Sequence, residues 1–122
     1  MFDFEKLEVY SYSKVLFHSI QRFLKASPKI DRDTRSQLRR AAMSVCLNIA
    51  EGCGRFSKAD KRNFYIIARG SVFECVSILG LIHEESLLSD EHYQAYYKQF
   101  DRVSRMLFAM INKLGTNPIS TT

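Results

Sequence analysis

The sequence predicts an all-α protein, an antiparallel up-down-up-down four-helix bundle. Apolar residues recur at helical spacing in four successive segments, the connections between them are short, and no stretch alternates as a strand does. Two prolines and five glycines in 122 residues leave little to break long helices. A hydrophobic share of 46% with 25% charged residues excludes collagen-like, proline-rich and disordered classes. This length makes one domain the expectation, over residues 1–115, followed by a tail over 116–122.

The first helix is expected from about Glu5 to Ser27, with Tyr10, Phe17, Ile20 and Leu24 on its stripe, Val9, Leu16 and Phe23 beside them, and Pro28 as its stop. The second runs from about Arg32 to Glu51, capped by Asp31 or Asp33, with Leu38, Ala41, Ala42, Val45 and Ile49 inward and Gly52 and Gly54 ending it. Ser57-Lys58-Ala59-Asp60 has the spacing of a capping box and opens a third helix that reaches about Leu87. Its core face is expected to hold Phe64, Ile67, Ala68, Ser71, Cys75, Ile78 and Ile82. Ser89 caps a fourth helix, where Tyr93, Tyr96, Phe100, Val103, Leu107, Met110 and Leu114 alternate by three and four until Gly115.

The third helix is apolar on every side. At 100° per residue from Phe64, the residues Ile66, Gly70, Phe73 and Leu81 fall between about 180° and 260°, opposite the core face. On the second helix, Met43 and Leu47 form a second apolar face as well. Such faces must be covered, so Met43, Leu47, Ile66, Gly70, Phe73 and Leu81 are candidate contacts between copies of the chain. A polar line of Gln37, Ser44, Asn48 and Glu51 calls for partners, for which Arg69, Ser71 and Glu74 are candidates; the expected role is to fix helix register and subunit orientation.

Charge is uneven. The chain carries +5 overall, but Lys29 to Arg69 holds ten basic and four acidic residues, a net of +6. Arg55, Lys58, Lys61 and Arg62 gather where the second helix meets the third, and Arg39 and Arg40 lie upstream. These six are the candidate contacts to the phosphates of RNA or DNA, a readout without base specificity.

Several chemistries lack their residues. No paired Glu-x-x-His motif, H-E-x-x-H, Walker A or G-x-S-x-G string is present, and His18, His83 and His92 sit on separate segments, so no catalytic residue, metal or cofactor is expected. Glu51 and Glu74 are a carboxylate pair expected to be matched with arginines rather than to act as acid and base. Cys46, Cys53 and Cys75 form no disulfide framework and read as small core hydrophobes. With no signal-like start and no apolar run of bilayer length, a cytoplasmic protein without a membrane partner is expected.

The string Gln37-Leu38-Arg39-Arg40-Ala41-Ala42, then Ser44-Val45, Asn48-Ile49-Ala50-Glu51-Gly52 and Ile67-Ala68-Arg69-Gly70-Ser71 with Glu74, resembles the signature of the 23S ribosomal RNA intervening-sequence proteins. The resemblance extends from Phe4-Glu5-Lys6-Leu7 through Pro28 to Arg105-Met106-Leu107; Val9, Cys46 and Leu47 depart from the usual pattern. It implies an up-down bundle that assembles with itself into a ring or barrel, a homopentamer, with no known catalytic activity. Such proteins are similar to the accessory variability proteins of diversity-generating retroelements, which implies nucleic acid and a reverse transcriptase as further partners.

Overall fold

The structure, a computed structural model, describes residues 1–115; the expected tail over 116–122 lies outside the described residues. A short 3₁₀ turn, Asp3–Lys6, leads into four helices, α1 (Glu8–Lys25), α2 (Arg32–Cys53), α3 (Lys58–Glu84) and α4 (Asp90–Leu114), with no strand among the described residues. These helices form a bundle in which α2 packs on α1 and α3, and α4 on α3 and, more loosely, α1.

Local chemistry accounts for the boundaries. The first helix is two pieces rather than one, because Leu7 is extended and the Phe2 N–H is taken by the Glu5 carboxylate at 3.0 Å. α1 also stops before Pro28. The Arg35 guanidinium donates to the carbonyls of Leu24, Ser27 and Ile30, which satisfies the end of α1 from within α2. Asp31, not Asp33, caps α2 by accepting from the Thr34 N–H, and hydrogen bonding from Thr34, its side chain first and its backbone second, holds the Asp31 carboxyl below its ordinary range. Ser57 and Ser89 cap α3 and α4, each accepting a backbone N–H three residues on at 3.1 Å. α3 ends at Glu84, short of Leu87, where Ser86 turns the chain with φ 62°.

One core runs the length of the bundle, and Ile20, Leu38, Ile49, Leu79, Phe100, Leu107 and Ile111 are among its fully buried members. On α1 the buried line is Val9, Ser13, Leu16, Ile20 and Leu24, while Tyr10, Phe17 and Phe23 are half-buried beside it. The α4 stripe lies as expected, with Ile111 buried where Met110 is only half-buried. α3 requires a correction. Its buried residues include Tyr65, Ala68, Val72, Cys75, Leu79 and Ile82, spaced by three and four, whereas Phe64 is half-buried and Ile67 is 51% exposed. Ala68, Ser71, Cys75, Ile78 and Ile82 are buried as expected, so the core face is turned by only about 40° from the expected one, towards Tyr65, Val72 and Leu79. A helix apolar on all sides does not fix its own phase, and contact with both α2 and α4 does.

The same helix corrects a second expectation. By length and composition alone α3 is apolar enough to cross a bilayer, although in the bundle its core side is occupied by α2 and α4.

Pairs of contacts fix the level of each helix against the next. Ser44 meets Ser71 and Gly52 meets Tyr65 between α2 and α3; Gly80 meets Tyr93 and Arg69 meets Phe108 between α3 and α4. Between α1 and α4, Tyr12 meets Arg102 and Ser19 meets Tyr96.

Candidate functional site

The basic junction is built by a close approach of α2 and α3. A Cβ on Gly52 would lie 2.8 Å from Tyr65 Cε1 and 3.0 Å from Phe64 Cβ, so only glycine lets the two helices meet there. Gly54 then ends α2, and three residues later Ser57 caps α3. This brings Arg55, Lys58, Lys61 and Arg62 to one end of the bundle. Arg39 and Arg40 are not brought with them: both are exposed on α2, about 20 Å away along its axis.

Within the junction the four cations differ. Lys61 donates to the carbonyls of Cys53 at 2.7 Å and Gly52 at 3.5 Å, so its ammonium completes the C-terminus of α2. Arg55 pairs with Glu51 at 2.9 Å and lies over the Phe64 ring at 4.6 Å. Lys58 is exposed, and Arg62 is half-buried with no hydrogen bond to its Nε. Between these cations Phe56 stands clear of the protein, 103% exposed, beside a concavity of about 410 Å³. The sequence reading did not single it out.

The polar line resolves into a smaller cluster. Ser44 and Ser71 share a hydrogen bond of 2.8 Å across α2 and α3, and Asn48 donates to both the carbonyl and the hydroxyl of Ser44 at 2.9 Å. Gln37 and Glu74 are exposed and outside it, and Glu51 turns to Arg55. Arg69 does not reach a carboxylate. Its guanidinium lies between the Phe73 and Phe108 rings at 4.8 and 5.3 Å. The carboxylates Glu51 and Glu74 stand at different levels, one beside the Gly52 contact and the other beyond Ser71.

Outward from the core, α3 presents Ile66, Gly70, Phe73 and Leu81, all exposed, and α2 adds Leu47, with Met43 half-buried. Phe73 and Leu81 are 55% and 57% exposed, and a groove of about 370 Å³ runs beside Phe73 between Val76, Tyr97, Phe100 and Ser104. Ile67 joins this face, an apolar residue expected in the core.

Cys46 and Cys75 are buried and Cys53 half-buried; all three are free. Burial pushes the Cys46 thiol up to about 11 and the Cys75 thiol up to about 12, so neither is a nucleophile near neutral pH. Among the described residues no three His, Cys, Asp or Glu side chains converge as a metal site.

A small helical bundle with a basic end, a short polar register between two helices and an apolar outer helix face defines a class of all-α protein whose features lie on its surface. The sequence profile of the 23S rRNA-intervening sequence protein family matches residues 5–109, and the chain belongs to that family. No curated protein matches it. Among solved structures it is similar to a protein of unknown function from the S23 ribosomal protein family of Bacteroides thetaiotaomicron, at 24% identity and a TM-score of 0.78 over 84% of this chain and 97% of that one. That likeness shows the fold.

Proposed function

We propose that the protein is a non-enzymatic homo-oligomer, an up-down-up-down bundle that binds the backbone of RNA or DNA through its basic surface. The paired contacts between neighbouring helices support the antiparallel order, since residue numbers rise along one helix as they fall along the next. Gathering of Arg55, Lys58, Lys61 and Arg62 at one end carries the nucleic-acid reading. Self-association rests on the exposed outer face of α3 with Leu47, a large apolar area for one chain to leave in water. Assembly presents the basic end once per subunit and multiplies its field.

Affinity for RNA measured against salt tests this. Backbone contacts give a steep fall of log K with log salt; a flat slope, or no binding at about 50 mM salt, refutes it. The variant to compare replaces Lys58, Arg39 and Arg40 by Ala and keeps Lys61, whose ammonium holds the end of α2. Native mass and nucleic-acid content read together separate a second reading, which the apolar face favours: a structural or protein-binding scaffold, such as an accessory protein to a reverse transcriptase, would be oligomeric and free of nucleic acid.

A further inference from the structure

Phe56 is the most exposed large hydrophobic residue of the described chain, at 103%, ahead of Met1 and Phe2 at the terminus. The connection that carries it is short and anchored on both sides. Gly54 caps α2 through bonds to the carbonyls of Ala50 and Glu51, and the Ser57 hydroxyl accepts from the Asp60 N–H. The ring is therefore held out by a fixed turn, not left on a loose end. Its chain neighbours include Arg55 and Lys58, with Arg62 and Lys61 behind them; Glu51 is neutralised by Arg55, which leaves Asp60 against the remaining cations.

We infer that Phe56 is a stacking platform for an unpaired nucleobase, and that the occupant of this turn is a single strand of RNA or DNA whose flanking phosphates meet Lys58 and the exposed edge of Arg55. The inference deepens the nucleic-acid reading above and rests on it. Charge decides between this occupant and an apolar groove of a protein. A groove closing over the ring would strip water from the cations on either side, whereas a single strand offers the ring a π-face and the cations their counter-charges. A duplex offers the phosphates but keeps its bases stacked inside. The concavity of about 410 Å³ beside the ring, bordered by Ala50, Gly54 and Ser57 and by the charged residues Glu51, Arg55 and Asp60, leaves room for a base on one side, from whose exocyclic N–H groups the two carboxylates can accept.

The chain contains no tryptophan, so Phe56→Trp makes a single reporter at the proposed platform. Titration uses a labelled oligo(dA) strand, the matching oligo(U) strand, the same deoxy strand with abasic sites, and a blunt duplex. Binding is followed by anisotropy of the label and by tryptophan emission. Quenching by the two base-bearing strands and not by the abasic strand or duplex is expected. Phe56→Ala should bind the base-bearing strands about tenfold more weakly and the duplex and abasic strand unchanged. Both variants should keep the parent's circular dichroism, because the ring packs against nothing.

Binding with unchanged emission, or an equal loss on the abasic strand, overturns the stacking inference and leaves backbone binding standing. Emission that shifts with protein concentration in the absence of nucleic acid assigns the ring to another copy of the chain, and overturns it too. Failure of the parent protein to bind any strand at low salt refutes the nucleic-acid reading itself, and the platform with it.

Discussion

Three glycines lie in α2 and α3, all with ordinary helical backbone, and they respond oppositely to the same substitution. Exchanging a helical glycine for alanine stabilises by about 0.8–1.0 kcal/mol through backbone entropy alone. At Gly80 a Cβ would lie 3.5 Å from the Tyr93 hydroxyl, an ordinary contact, so Gly80→Ala should keep that gain. At Gly52 the Cβ would sit 2.8 Å from Tyr65 Cε1 and 3.0 Å from Phe64 Cβ. Tyr65 is 4% exposed and cannot swing away, so α2 and α3 must part. Overpacking of this kind costs about 1–3 kcal/mol, which cancels or outweighs the propensity gain. Gly52→Ala should therefore melt below Gly80→Ala by roughly 4–12 °C, at about 4 °C per kcal/mol for a chain of this size. Thermal unfolding followed by circular dichroism at one protein concentration measures it. Equal midpoints, or a higher one for Gly52→Ala, refute the argument that close approach of the helices demands glycine at the junction. Gly70 completes the series. A Cβ there meets nothing within 4 Å of its own chain, so Gly70→Ala should stabilise a lone subunit. If α3 packs on another copy, it should instead lower the native mass.

Arg35→Ala should destabilise by about 1.5–3 kcal/mol in urea unfolding, because a charged donor to three carbonyls at the end of α1 is lost, while Arg32→Ala, at an exposed position, should stay within about 0.5 kcal/mol; equal effects refute the cap. A double-mutant cycle on Ser44→Ala and Ser71→Ala should return a coupling of about 0.5–1.5 kcal/mol, and additivity would show that the 2.8 Å bond adds nothing. Maleimide at neutral pH should label Cys53 alone in the native protein; early labelling of Cys46 or Cys75 contradicts their burial. Both buried thiols rise on folding, so above pH 9 the unfolded chain loses protons that the folded one keeps, and stability falls as pH rises towards 11 by up to about 1.4 kcal/mol per unit per thiol. Cys75→Ala should flatten that slope, and an unchanged slope refutes the assignment.

Legibility in the sequence followed the number of sides from which a residue is constrained. Ser57 and Ser89 were readable as caps because a short hydroxyl before an apolar run has one strong local use. The α4 stripe was readable because that helix buries a single face. On α3 the apolar residues encircle the axis, so the pattern placed Ala68, Ser71, Cys75, Ile78 and Ile82 inward but did not fix the edges of the core face, and Ile67 lies outside it. In the sequence Arg35 is one basic residue among the ten from Lys29 to Arg69, because its carbonyl partners come from the preceding helix, a tertiary fact. Lys61 stands among ligand-facing cations for the same reason. Phe56 did leave a signal, a large aromatic between glycine and serine in a turn flanked by cations, but a search for helical periodicity passes over a residue that belongs to no helix.

The two proposed surfaces are not independent, because α3 carries both. Its first turn bears the basic junction, and its outer face, from Ile66 to Leu81, bears the exposed apolar residues. Copies that meet through that face around an axis parallel to the bundle keep the same end of every bundle on the same side of the assembly. A cyclic particle then gathers all its Arg55, Lys58 and Arg62 side chains, and all its Phe56 rings, on one rim. A lone subunit offers a strand one base platform and a few cations, which is weak in physiological salt. Several platforms linked on one rim raise the effective concentration for each successive contact, so affinity should depend on assembly far more steeply than on any single residue. Phe73→Glu, which places a charge on the outer face of α3 far from the junction, should weaken strand binding in step with the loss of native mass. Full affinity in a monomeric Phe73→Glu protein would sever the two surfaces and leave the junction to act alone.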